Sequence, residues 1–158
     1  MGGLTFFLAL VLAASAVHKG FAHDRLALAS ARLLGLRPPL GILALIAAGT
    51  LEGAAALCLL VPALHLAGAG MAVALWGTYA VALARHRGET LDCGCDLVAR
   101  SRKVDWPHIL RPAGLALLAL LPAAPLDLMA LFAGLGLLAL YTALGELLSI
   151  PLPAWRHS

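Results

Sequence analysis

Apolar and polar positions divide the chain into five apolar runs, over residues 4–20, 40–61, 63–84, 108–123 and 126–149. Leucine and alanine dominate them, and both favour helix. At ~1.5 Å per residue, a helix over 40–61 bridges a hydrocarbon core of ~30 Å. Pro62 breaks or kinks the chain between the second and third runs. Pro122 and Pro125 close the short fourth run, and Pro151 and Pro153 follow the fifth. The pattern predicts an all-α, polytopic membrane bundle of five transmembrane helices, or four if one run fails to span. It forms one integral membrane domain over residues 1–158, with no internal repeat and no low-complexity tract.

Two stretches break this pattern. Over 21–38, Phe21, Leu26, Leu28, Leu33, Leu34 and Leu36 alternate with His23, Asp24, Arg25, Arg32 and Arg37. This reads either as an amphipathic interfacial segment or as a solvated loop, ended by Pro38 and Pro39. Residues 85–107 form a polar loop. The sequence Ala14-Ser15-Ala16 resembles a signal-peptide cleavage site, but no Lys or Arg precedes the first run, so a retained helix is expected.

Composition agrees with lipid as the solvent. The chain is 62% hydrophobic and 12% charged, with a mean hydropathy of +0.95. Soluble domains are about half apolar and a quarter charged. The net charge of +3 does not point to nucleic acid, because no basic stripe with interleaved aromatics is present. It reports orientation instead. With five crossings, all 11 Lys and Arg residues fall on or next to the side carrying the 18–38 stretch, the 85–107 loop and the C-terminus. Trp106 and Trp155 fall near the same interface. The positive-inside rule then places the N-terminus outside and the 85–107 loop in the cytoplasm.

The sharpest chemical feature is Cys93-Gly94-Cys95. Two cysteines one residue apart reach disulfide geometry only in a bent chain, which Gly94 permits. A ring this tight is strained and easily reduced, a property suited to exchange. Arg85, Arg87 and Lys103 favour a thiolate there, whereas Glu89, Asp92 and Asp96 oppose it. Three readings stay open: a redox pair, two inert thiols, or a metal site completed by His86 or His108. Cys58, late in the second helix, reads as a small apolar filler or as a relay thiol reached only by rearrangement.

Glu52 lies near the middle of the second helix, where an ionisable group is costly unless paired, protonated or facing a cavity. It is either functional or a protonated carboxyl bonding a neighbouring helix. Gly49 and Gly53 have the spacing that lets helices approach closely. Lys19, Arg111 and Glu146 fall at the inner ends of helices one, four and five, where Glu146 is a partner for either base, and His18 lies nearby. These groups either lock the bundle or line a polar interior beneath the cysteines. Neither a phosphate-binding glycine loop nor a hydrolytic triad is present.

Lys19 followed by Phe21, Glu52 in the second helix, Cys93-Gly94-Cys95 after the third and Arg111 entering the next together resemble the MauE family of methylamine utilisation proteins, small membrane proteins similar in style to DoxX. Asp96 and Leu97 stand where the family reads Phe-Gly, and Pro112 where it reads Asn after the arginine. The resemblance implies a multi-pass protein of the bacterial inner membrane. Such a protein assists maturation of a disulfide-rich periplasmic client, the small (β) subunit of methylamine dehydrogenase, beside a thioredoxin-like partner. Cys93 and Cys95 would be the redox pair, with Lys19, Glu52 and Arg111 as supporting polar groups. A periplasmic client and cytoplasmic cysteines require either electron transfer across the membrane or a different helix count. The rival expectation is a metal-binding, quinone-binding or DoxX-like accessory subunit without thiol cycling. No cofactor is called for otherwise, quinone being the one candidate.

Overall fold

A computed structural model describes residues 2–91, 102–122 and 126–147. It contains α1 (Gly2–Phe21), α2 (His23–Leu34), α3 (Pro38–Leu60), a 3-10 turn (Pro62–Leu64) and α4 (His65–Arg85). A two-stranded pairing of β1 (Thr90–Leu91) with β2 (Arg102–Lys103), then α5 (Trp106–Ala119) and α6 (Leu128–Leu147), completes it. The expected all-α bundle is what forms.

The mixed stretch is helical. α2 buries Leu26, Ala27 and Ala31 and leaves Leu28 and Leu34 exposed. It stops at Gly35, whose φ of 63° lets its N–H reach Arg32 O (3.2 Å) while Leu36 N–H reaches Ala31 O (2.8 Å). Only glycine adopts that left-handed bend without penalty. Pro38 and Pro39 then begin α3, since the first helical turn needs no N–H partner. Pro62 ends it by the same absence and opens the 3-10 turn into α4. Asp127 caps α6, its Oδ1 accepting the Ala130 N–H at 2.6 Å.

α3 packs against α1, α2 and α4, while α5 packs along α4 and α6 along α1. Leu83 meets Ile109 in one cluster, and Ala69 and Ala72 share another with Leu115 and Ala119, so α5 runs antiparallel to α4. Gly3 abuts Ala130 and Ala133, and Arg111 abuts Gly145, so α6 begins where α1 begins. The chain therefore passes five times between a near end, holding Gly2, and a far end, holding β1 and β2.

Four of these passes are long and apolar enough to cross a membrane: Gly2–Phe21, Pro38–Leu60, Pro62–Arg85 and Leu128–Leu147. α5, with 14 residues, is only ~21 Å long. It starts at Trp106 rather than at 108 and ends at Ala119, short of the expected 123. The choice between five and four helices thus becomes five passes with one short helix.

The close approaches are not where the glycine spacing put them. A methyl group at Gly49 or Gly53 meets nothing within 4 Å. α2 instead presses its Ala27 carbonyl and Ala31 onto Gly41, and a methyl group at Gly68 would come within 2.6 Å of the Leu59 nitrogen. The Gly-x-x-x-Gly face is open because α3 meets its partners on the side that carries Leu45, Glu52, Ala55, Ala56 and Leu59.

Candidate functional site

Ser15 and Lys19 stand one helical turn apart on α1, so both project toward the same neighbour. That neighbour is Glu52 of α3, ~12 Å along the helix from Leu60 and ~21 Å from Pro38. Lys19 Nζ donates to Glu52 Oε1 at 2.7 Å and to Oε2 at 2.9 Å, and to Ser15 Oγ at 2.7 Å. Ser15 Oγ donates to Oε1 at 3.0 Å, and the Tyr79 hydroxyl of α4 donates to the same oxygen at 2.9 Å. The ammonium also lies 5.4 Å from the centre of the Tyr79 ring. Glu52 is fully buried and Lys19 nearly so.

Ser15, Lys19 and Tyr79 all reach the Glu52 carboxyl, so Glu52 bonds two neighbouring helices rather than one, and its pairing with Lys19 ties α1, α3 and α4 together. Each charge is tolerable in so dry a place because the other is present; burial of either alone costs several kcal/mol.

Arg111 is set against α6. Its guanidinium stacks 5.0 Å from the ring centre of Tyr141 on α6, and Tyr141 meets Phe7 of α1 edge-on at 5.8 Å. Of the expected supporting groups, the fold pairs Lys19 with Glu52 and stacks Arg111 on Tyr141 of α6. Lys19 takes Glu52 as its acidic partner rather than Glu146.

Cys93 and Cys95 lie outside the described residues; their frame does not. β1 and β2 pair antiparallel, Thr90 with Lys103 and Leu91 with Arg102. Gly88 N–H donates to Val104 O at 3.0 Å and Val104 N–H to Glu89 O at 2.9 Å. His86 ties this base to the bundle: Nε2 is 3.2 Å from Leu33 O on α2, and Nδ1 is 3.0 Å from Glu89 Oε2. Arg87 stacks on Trp106, 4.4 Å from the ring centre. The segment containing both cysteines is thus closed at its neck at the far end. Cys58 is a half-buried free thiol beside Gly68, two residues from the near end of α3.

Ser15 and Tyr79 escaped the sequence reading. The four-residue step from Ser15 to Lys19 was a usable signal. Nothing local marks Tyr79, which is one of several residues of an apolar helix until α4 is docked on α3.

These features define a multi-pass α-helical membrane protein whose core is braced by a buried ion pair and whose far end carries a short antiparallel strand pairing. A model of the family described as methylamine utilisation protein MauE matches residues 2–125, and the chain belongs to that family. The match takes in α1 to α5 and leaves α6 outside it. No curated protein and no solved structure matches the chain. Family and fold together make it a membrane accessory protein.

Proposed function

We propose that the chain is a membrane thiol–disulfide protein that assists maturation of a disulfide-rich periplasmic client, by its family the small subunit of methylamine dehydrogenase. The observation carrying this reading is the paired neck at Thr90–Lys103 and Leu91–Arg102, which holds Leu91 and Arg102, the residues flanking the stretch that contains Cys93 and Cys95, at strand spacing. Family membership supports it. In the proposed step a thiolate attacks a disulfide of a thioredoxin-fold partner and forms a mixed disulfide. The second cysteine resolves it, so that Cys93 and Cys95 exchange two electrons and two protons with the partner pair.

The Lys19–Glu52 pair does not react in this scheme. It holds α1, α3 and α4 in one arrangement beneath the loop. The charge bias argues for a cytoplasmic loop, an orientation that requires electrons to cross the membrane between Cys93 and Cys95 and a periplasmic client. The test is the Cys93→Ser/Cys95→Ser variant. Client maturation is lost while the protein still inserts and accumulates; normal maturation in that variant overturns the proposal.

A further inference from the structure

The far half of the bundle contains a groove that the ion pair and the cysteine loop leave unused. α2 and α4 stand apart over α3, and a cavity of about 380 Å³ lies between them. Its walls are mostly small, with Ala44, Ala47 and Ala48 of α3 facing Ala74 and Ala82 of α4. A second cavity of about 410 Å³ shares Leu33, Leu34, Ala74, Thr78 and Ala82 with it and continues to Gly77, Val81 and Arg85. From Ala74 to Arg85 the groove follows ~16 Å of helix, close to half of a ~30 Å hydrocarbon core. It has the length of one lipid leaflet.

The middle and the mouth of the groove differ in what they offer. Lys19 and Tyr79 line its middle, but the three ammonium protons go to Ser15 and Glu52, and the Tyr79 proton goes to Glu52. A ligand's polar head finds no unspent donor there. The open end carries Arg85, exposed and in the last turn of α4. Among the described residues Arg85 makes no ion pair, while Glu89, the acid nearest to it in sequence, is engaged by His86. Polar head outward and apolar tail inward is the orientation of a phospholipid, and the charge at the mouth selects an anionic one.

We infer that the α2–α4 groove is a binding site for an anionic phospholipid, with one acyl chain along the alanine-lined floor and the phosphate on Arg85. The lipid would fill the space between α2 and α4 that no side chain occupies, joining the helix that carries the His86 contact to the helix that leads into the cysteine loop. This inference is independent of thiol chemistry.

Two substitutions separate head from tail. Arg85→Gln removes the charge from an exposed position. Gly77→Leu fills the groove from a site where an added Cβ meets nothing within 4 Å, so the helix accepts it. The full chain, purified in mild detergent and mixed with vesicles of phosphatidylglycerol or phosphatidylcholine, is read by native mass spectrometry for retained lipid. The wild type retains about one phosphatidylglycerol in preference to phosphatidylcholine. A basic group near a lipid surface is worth ~1 kcal/mol, so Arg85→Gln weakens phosphatidylglycerol retention by about five-fold and removes the preference. Gly77→Leu loses both lipids while its thermal unfolding stays cooperative. Equal retention of the two lipids by the wild type overturns the inference, as does undiminished phosphatidylglycerol in Arg85→Gln. Recovery of an isoprenoid quinone that is lost in Gly77→Leu but kept in Arg85→Gln overturns it in favour of a neutral ligand.

Discussion

α3 and α6 are nearly interchangeable by hydropathy and very different in place. Each has a window of mean hydropathy 2.0, yet 28% of that window is buried in α3 and 11% in α6. α3 touches α1, α2 and α4 and holds Glu52 in the centre of the protein. α6 runs along α1 and is otherwise reached by the Arg111 side chain from α5. Met129, Phe132 and Leu140 on α6 are all more than half exposed. Lipid solvates an apolar side chain about as well as another helix does, so apolarity alone fixes no position within a bundle. A single carboxylate does, because it must find its donors before the helix can enter hydrocarbon.

Removing that carboxylate is the hardest blow to the comparison. Glu52→Leu leaves the Lys19 ammonium buried without a counter-charge and is expected to cost about 3–5 kcal/mol, read as loss of folded protein in detergent unfolding. Adding Lys19→Met to that variant restores most of the stability, since no lone charge then remains. If Glu52→Leu alone unfolds like the wild type, the ion pair is not what seats α3.

α6 should respond to shape rather than charge. A side chain at Gly134 would run into Phe6 and into the Gly3 carbonyl at 3.0 Å. Gly134→Leu is expected to cost about 1–3 kcal/mol through overpacking and to loosen α6 from α1, visible as faster protease cleavage between α5 and α6. The core of α1, α3 and α4 keeps its protection in the same digest.

Finer substitutions sharpen the contrast. Tyr79→Phe keeps the ring over Lys19 and removes one donor to Glu52. Hydrogen bonds within membrane proteins average ~0.6 kcal/mol with a maximum near ~1.7, so a destabilisation in that range is expected. Leu140→Ala on the outer face of α6 should stay within about 0.5 kcal/mol of the wild type in the same unfolding assay. A larger loss there would mean that another protein surface, not lipid, covers α6.

The sequence announced the helices well because their lengths answer to bilayer thickness. Residues 40–61 and 63–84 became α3 and α4 almost unchanged. The fourth run came out shorter at its C-terminal end, where Pro122 disfavours helical backbone at Leu121, while Pro107 in the first turn let α5 begin two residues early. Lys19 and Glu52 were legible as unusual groups, since charge within an apolar run stands out. Their pairing was not, because it depends on how far α1 slides along α3, a quantity no local pattern encodes. Tyr79 was hidden for the same reason. Gly49 and Gly53 misled because spacing shows that a face can pack closely without showing which face does.

The claim that Cys93 and Cys95 exchange electrons is tested most directly by thiol trapping in growing cells. Samples quenched with a mass-tagging maleimide, before and after brief reduction, report how many of the three cysteines are free. The proposal predicts a population lacking two reactive thiols that shifts reversibly to the fully tagged form and accumulates in one form when the thioredoxin-like partner is absent. A single tagged form, unchanged by reduction and by removal of the partner, contradicts it.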